Sequence, residues 1–204
     1  MERIDNKTGV PLEHYKSLDK NLEPTTVAVR CAVVFDSSCS CFKFRFLGKD
    51  ICADFPDFRA YNETGGGELS DESKILIMRY LIEGSAGLNT GQFLSYAEVP
   101  WGETYLVNFK GRCIARLAFA FGFDIGRFNS ACESLGGEPA KHGDSSYDIE
   151  LIDGFIVRLI LWRGDDEFPP NAQILFSDNF PSAFSAEDLA VVGDVVINAL
   201  KTLK

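Results

Sequence analysis

Apolar residues recur along this chain with two different periods, and the switches between them mark its elements. Leu12, Tyr15, Leu18 and Leu22 fall at helical spacing, so Pro11 to Leu22 is expected to be an amphipathic helix. Thr25 to Phe35 reads both ways: its valines favour a strand, while Pro24 followed by two threonines resembles a helix start. Between Cys41 and Phe55 the period is two. Phe42, Phe44 and Phe46 alternate with Lys43 and Arg45, which puts rings on one face and charges on the other. Gly48-Lys49 then predicts a type II′ hairpin turn with glycine first.

Helical spacing returns at Ser70, where Asp71 and Glu72 suit a first turn and Ile75, Met78 and Ile82 share a face up to Gly84. Short strands are expected at Gln92 to Tyr96 and around Thr104 to Val107. Ile114, Leu117, Ala118 and Phe121 form a stripe closed by Gly122. Asp124 can cap a further helix whose face carries Ile125, Phe128, Cys132 and Leu135, ending at Gly136-Gly137. These two helices predict an αα-hairpin.

Tyr147 to Leu151 and Phe155 to Trp162 flank Asp153-Gly154, a hairpin signal, and the second run is apolar enough for a central strand buried on both faces. A stiff acidic connector follows, Arg163 to Pro170, then a strand from Ala172 to Phe176. Ser185-Ala186-Glu187-Asp188 opens a C-terminal helix with Leu189, Val192, Val196 and Leu200 on one stripe. The order predicts an α+β fold: a mostly antiparallel sheet with β-hairpins, packed by about five helices, in a single domain spanning residues 1–204.

Composition narrows the function classes. Thirty acidic residues against 20 basic ones give a formal charge of −10, which repels phosphate backbones and anionic membranes. No nucleic-acid or membrane partner is expected; a small molecule or a protein remains open as partner, as do cofactor and oligomeric state. The opening residues Met1 to Lys7 lack the apolar stretch of a signal peptide, so a cytoplasmic setting is expected. The six Cys include no Cys-x-x-Cys pair and sit mostly among apolar neighbours, as core filler would. Seventeen Phe supply large rings for a core that needs no disulfide scaffold.

Candidate chemistry is sparse. Asp165, Asp166 and Glu167 are three adjacent carboxylates whose repulsion a hard cation or cationic ligand would relieve, with Trp162 beside them. Asp165, Glu167 and Asp178 form a candidate metal set if the flanking strands are antiparallel neighbours, and a metal-dependent hydrolase would follow. The bland alternative is a solvated loop in which one carboxylate caps backbone donors, and it is the favoured one. Cys39-Ser40-Cys41 would need further ligands to bind a soft metal, and only His14 and His142 could supply imidazole. His142 could be oriented by Asp144, yet nothing marks a nucleophile and no Gly-x-Ser-x-Gly elbow occurs. Gly65-Gly66-Gly67 lacks the Gly-Lys-Ser/Thr of a phosphate loop. Arg163-Gly164-Asp165 spells an integrin tripeptide without any extracellular context.

Leu159-Ile160-Leu161-Trp162, Gly164-Asp165, Glu167-Phe168-Pro169, Ile174-Leu175-Phe176 and Glu187-Asp188-Leu189 together resemble an uncharacterised domain-of-unknown-function family of anaerobic bacteria and archaea. Leu76 to Leu81, Tyr105, Phe109 and Leu135-Gly136-Gly137 are compatible with the same pattern. Some relatives look as though they carry an added iron–sulfur domain, which implies a setting in anaerobic redox, corrinoid or one-carbon metabolism. This chain lacks the closely spaced Cys run that such a cluster needs. What the resemblance implies is a binding or accessory protein without a known reaction.

Overall fold

The computed structural model describes residues 9–19, 21–65 and 67–203. Helix α1 (Gly9–Asp19) stops before the expected Leu22, and Lys20 lies outside the described residues, as do Met1 to Lys7 and Gly66. The ambiguous segment begins as helix α2 (Pro24–Cys31) and only then becomes strand β1 (Val34–Asp36). Proline at the first helical position and the Glu23 carboxylate, which accepts from the Thr25 and Thr26 amides, decide this in favour of helix.

Strands β2 (Cys41–Phe46) and β3 (Lys49–Asp54) form the expected hairpin, with Phe42, Phe44 and Phe46 buried. Its turn differs from the expected one. Phe46 pairs with Lys49, so Leu47 and Gly48 are the central residues, and both have positive φ, at 48° and 73°. That is the signature of a type I′ turn. Glycine sits second because a Cβ at Gly48 would lie 2.5 Å from the Leu135 carbonyl oxygen. Strand β4 (Ala60–Asn62) extends this half of the sheet.

Helix α3 (Asp71–Glu83) starts at the Ser70 cap and ends at Gly84. Strand β5 (Phe93–Ser95) follows. The strand expected around Thr104 to Val107 is instead helix α4 (Gly102–Phe109), which runs on through a π-helical segment (Lys110–Ala115) into α5 (Arg116–Phe121). Tyr105 and Val107 are exposed, so their alternation does not record a buried strand face. The buried row is Phe109, Cys113, Leu117 and Phe121, spaced by four. Spacing by four drifts around a helix of 3.6 residues per turn, and the wider π turn takes up that drift. Cys113 therefore faces the core where Ile114 was expected, and Ile114 is half-buried.

Helix α6 (Ile125–Ser134), capped by the Asp124 carboxylate on the Arg127 amide, completes the αα-hairpin. Strand β6 (Glu138–Pro139) borders β7 (Ser145–Ile152), which forms a hairpin with β8 (Phe155–Trp162) around Asp153-Gly154. Strand β9 (Asn171–Ser177) lies against β8, and helix α7 (Ala186–Thr202) closes the chain behind a capping box at Ser185.

The fold is α+β. All nine strands belong to one antiparallel sheet of order β4-β3-β2-β7-β8-β9-β5, with β1 on β2 and β6 on β7. It consists of two halves joined by a narrow seam, since β2 and β7 pair only at Phe46 and Ile152. Arg45 reinforces that seam, its amide donating to Asp153 and its guanidinium lying 3.5 Å from Glu150. The inward rows of the sheet and the helices share one contiguous core. Phe155, Phe176, Phe180, Phe184 and Tyr80 meet mainly edge to face within it, the geometry that ring quadrupoles favour. Strand β8 is central, but only its inward row is uniformly buried: Ile156 and Arg158 on the other face remain half-exposed. Among the described residues, no helix is long and apolar enough to cross a membrane.

Candidate functional site

The acidic connector lies between neighbouring antiparallel strands, as its prolines and flanking apolar runs imply. Gly164 is buried against the α5–α6 turn, its amide donating to the Gly122 carbonyl at 3.0 Å. The Asp165 carboxylate turns back on its own loop and accepts from the amides of Glu167 at 2.9 Å and Phe168 at 2.7 Å. Those backbone bonds, Phe168 first, hold its carboxyl below the usual range. Asp166 and Glu167 are exposed, and Trp162 stands at the end of β8 with 36% of its surface open.

Asp178 is elsewhere. It follows β9, whereas Asp165 precedes it, and that strand of seven residues is roughly 20 Å long. Its carboxylate accepts from the Thr90 amide and hydroxyl. The structure therefore does not bring Asp165, Glu167 and Asp178 together, and no group of His, Cys, Asp and Glu among the described residues could hold a metal ion. Asp144 does not orient His142 either, for its carboxylate accepts the Arg163 amide at 2.7 Å.

A different constellation occupies the outward face of β7 and β8. Alternation sends Tyr147, Ile149, Val157 and Leu159 into the core, so Asp148, Glu150, Ile156 and Arg158 must point out. The register places Asp148 directly opposite Arg158. Their side chains meet fork to fork, Nε to Oδ1 at 2.6 Å and Nη2 to Oδ2 at 2.7 Å. These bonds raise the Arg158 pKa above its usual value. The third guanidinium nitrogen lies 3.3 Å from His142 Nε2, which must then be the unprotonated ring nitrogen if it accepts. Phe93, carried in by β5 from beyond β9, sits under the guanidinium at 3.7 Å from its ring centroid.

Arg158 is thus fixed by a carboxylate, an imidazole and an aromatic face. It forms the floor of a depression of about 420 Å³ whose rim includes Arg45, Asn89, Glu138 and Glu150. The rim pair is looser than the floor pair: the Arg45 side chain is 54% exposed. Ser146 offers no nucleophile here, because it is buried and its oxygen accepts the His142 amide at 2.9 Å. Both signs of charge, an amide and a ring face the same space. That set suits a polar molecule carrying both charges, and it holds no nucleophile–base pair among the described residues.

Sequence reading missed this site. Asp153-Gly154 as a turn already sets Asp148 across from Arg158, so two opposite charges in otherwise apolar strands were the available signal. Phe93 gave none, since its strand joins the sheet through a partner far along the chain.

The model of one family, described as a domain of unknown function (DUF3786), matches residues 23–199. The chain belongs to that family. The match runs from the cap of α2 to the last turns of α7, so DUF3786 takes in the whole sheet and the depression on it. No curated protein and no solved structure matches the chain.

Proposed function

We propose that this DUF3786 chain is a non-catalytic binding or accessory module that takes a small zwitterionic molecule on the open face of its sheet. The observation that carries the reading is the Arg158–Asp148–Phe93 floor, with His142 bonded to Arg158, a polar surface that a ligand meets already ordered. Arg45, exposed, and Glu150, half-buried, lie 3.5 Å apart and are the groups that exchange each other for the ligand's carboxylate and ammonium. The formal charge of −10 argues against nucleic acid as the partner. An anaerobic corrinoid or one-carbon setting rests on the family resemblance alone.

The test is thermal unfolding in the presence of amino acids, organic acids, nucleotides and corrinoids. A binder should raise Tm with concentration by mass action. Arg45→Ala and Glu150→Gln should each abolish that rise while leaving the unliganded Tm within a few degrees. The reading fails if no compound shifts Tm, if the shift survives both substitutions, or if any compound is turned over.

A further inference from the structure

The four-residue tip between β1 and β2 holds an arrangement that neither core packing nor the sheet-face depression uses. Cys39 Sγ and Cys41 Sγ lie 3.1 Å apart. Ser40, at φ 52°, turns the chain sharply between them, which brings the side chains to the same side. Cys39 is exposed, whereas Cys41 is fully buried and held in register opposite Asp36 and Asp54. Core filler accounts for Cys41, but an exposed thiol directed at a buried one is not filler.

We propose that Cys39 and Cys41 form a reversible dithiol–disulfide pair that exchanges with low-molecular-weight disulfides. Cys39 reacts first because it is the accessible thiol. Its thiolate attacks one sulfur of the small disulfide, breaking that S–S bond, forming a mixed disulfide and releasing one small thiolate. Cys41 then gives its proton to the released thiolate and attacks Cys39 Sγ. The Cys39–Cys41 bond forms, the mixed disulfide breaks, and the second small thiolate leaves and takes up the Cys39 proton. Two protein thiols are oxidised and one small disulfide is reduced to two thiols.

The buried partner suits the resolving role. Burial pushes the Cys41 thiol well up, with the Cys52 thiol of β3 adding to the effect, so Cys39 and not Cys41 is the first nucleophile. The sulfurs must close from 3.1 Å to about 2.05 Å, and Cys39 sits in the loop, which is the end that can move. Cys31, Cys113 and Cys132 are buried residues of helices, and each has its thiol raised by burial.

The full chain is equilibrated with glutathione disulfide, quenched with acid, and its free thiols are alkylated in denaturant and weighed. The expected result is loss of two of the six thiols, read as four alkyl groups instead of six with no glutathione attached, and restored to six by excess dithiothreitol. Cys39→Ser, at an exposed position, should fold normally and keep all its remaining thiols free of internal bonding, while Cys52→Ser should oxidise as the unaltered chain does. Retention of six thiols, a persistent glutathione adduct on Cys39, or an internal bond that Cys52→Ser abolishes and Cys39→Ser spares would each overturn the pairing. Because these readouts are masses under denaturing conditions, they do not depend on the sheet-face ligand.

Discussion

Asp188 shows how much one buried carboxylate can carry. It is 3% exposed and accepts from the Ser185 amide at 2.8 Å and hydroxyl at 2.7 Å while its other oxygen meets Arg79 Nη1 at 2.7 Å. Arg79 is less well served: its Nε is buried without a partner. The two ends of this ion pair should therefore respond unequally to truncation. Asp188→Ala opens the cap of α7 and strands a largely buried guanidinium, an expected loss of about 3 kcal/mol. Arg79→Met removes the orphaned nitrogen and leaves Asp188 with its Ser185 donors, an expected loss of about 1 kcal/mol or less. Urea unfolding of both variants decides the matter, and equal losses would mean the pair, rather than the cap, dominates.

Among the elements, α7 packs closely on the π-helical segment. A Cβ added at Gly193 would lie 2.6 Å from Cys113 Sγ and 3.1 Å from Cys113 Cβ. Alanine should improve helix propensity by about 1 kcal/mol, yet overpacking costs about 1–3 kcal/mol. We expect Gly193→Ala to destabilise by up to about 2 kcal/mol. In a Cys113→Ala background the sulfur is gone, so the same change should cost nothing or stabilise. The double-mutant coupling measures it, and an unchanged cost in both backgrounds would remove the sulfur from the explanation. Element type was legible in the sequence wherever a period ran uninterrupted, as in α7, α6 and the β7–β8 hairpin. It failed at Thr104 to Val107, because Tyr105 and Val107 are surface residues of α4 and only the four-spaced row through Phe109 records burial. The turn of the first hairpin was misplaced by one residue because Leu47, at φ 48°, occupies a position where leucine gives no signal. Candidate chemistry was read from adjacent carboxylates, whereas the assembled site draws on Phe93, Asp148 and Arg158, which only strand pairing brings together.

For the molecule as a whole, acid should be the sensitive direction. Several surface carboxylates accept hydrogen bonds that exist only when the chain is folded. Bonds from Thr26 and then Thr25 lower Glu23 from 4.5 to about 2. Ser38 and Lys43 lower Asp36, Thr90 lowers Asp178, and Lys74 lowers Glu68. A carboxyl depressed by folding contributes stability that is complete above its unfolded pKa and lost as pH falls through its folded one. Asp153 works the other way. Burial at the sheet seam raises it, so its ionised form weakens the fold and its protonation relieves that cost. One raised group stands against several lowered ones, so unfolding free energy should rise with pH across the interval from about 2 to about 5. Above it the charge of −10 supplies only self-repulsion, screened by salt. Glu23→Gln isolates one contribution: the amide keeps an acceptor for the α2 cap but cannot titrate. Urea unfolding of that variant between pH 2 and 6 should give a shallower rise than the unaltered chain, with the two curves changing in parallel above pH 5. Identical slopes across the acid interval would show that Glu23 is no better bound in the folded chain than in the unfolded one.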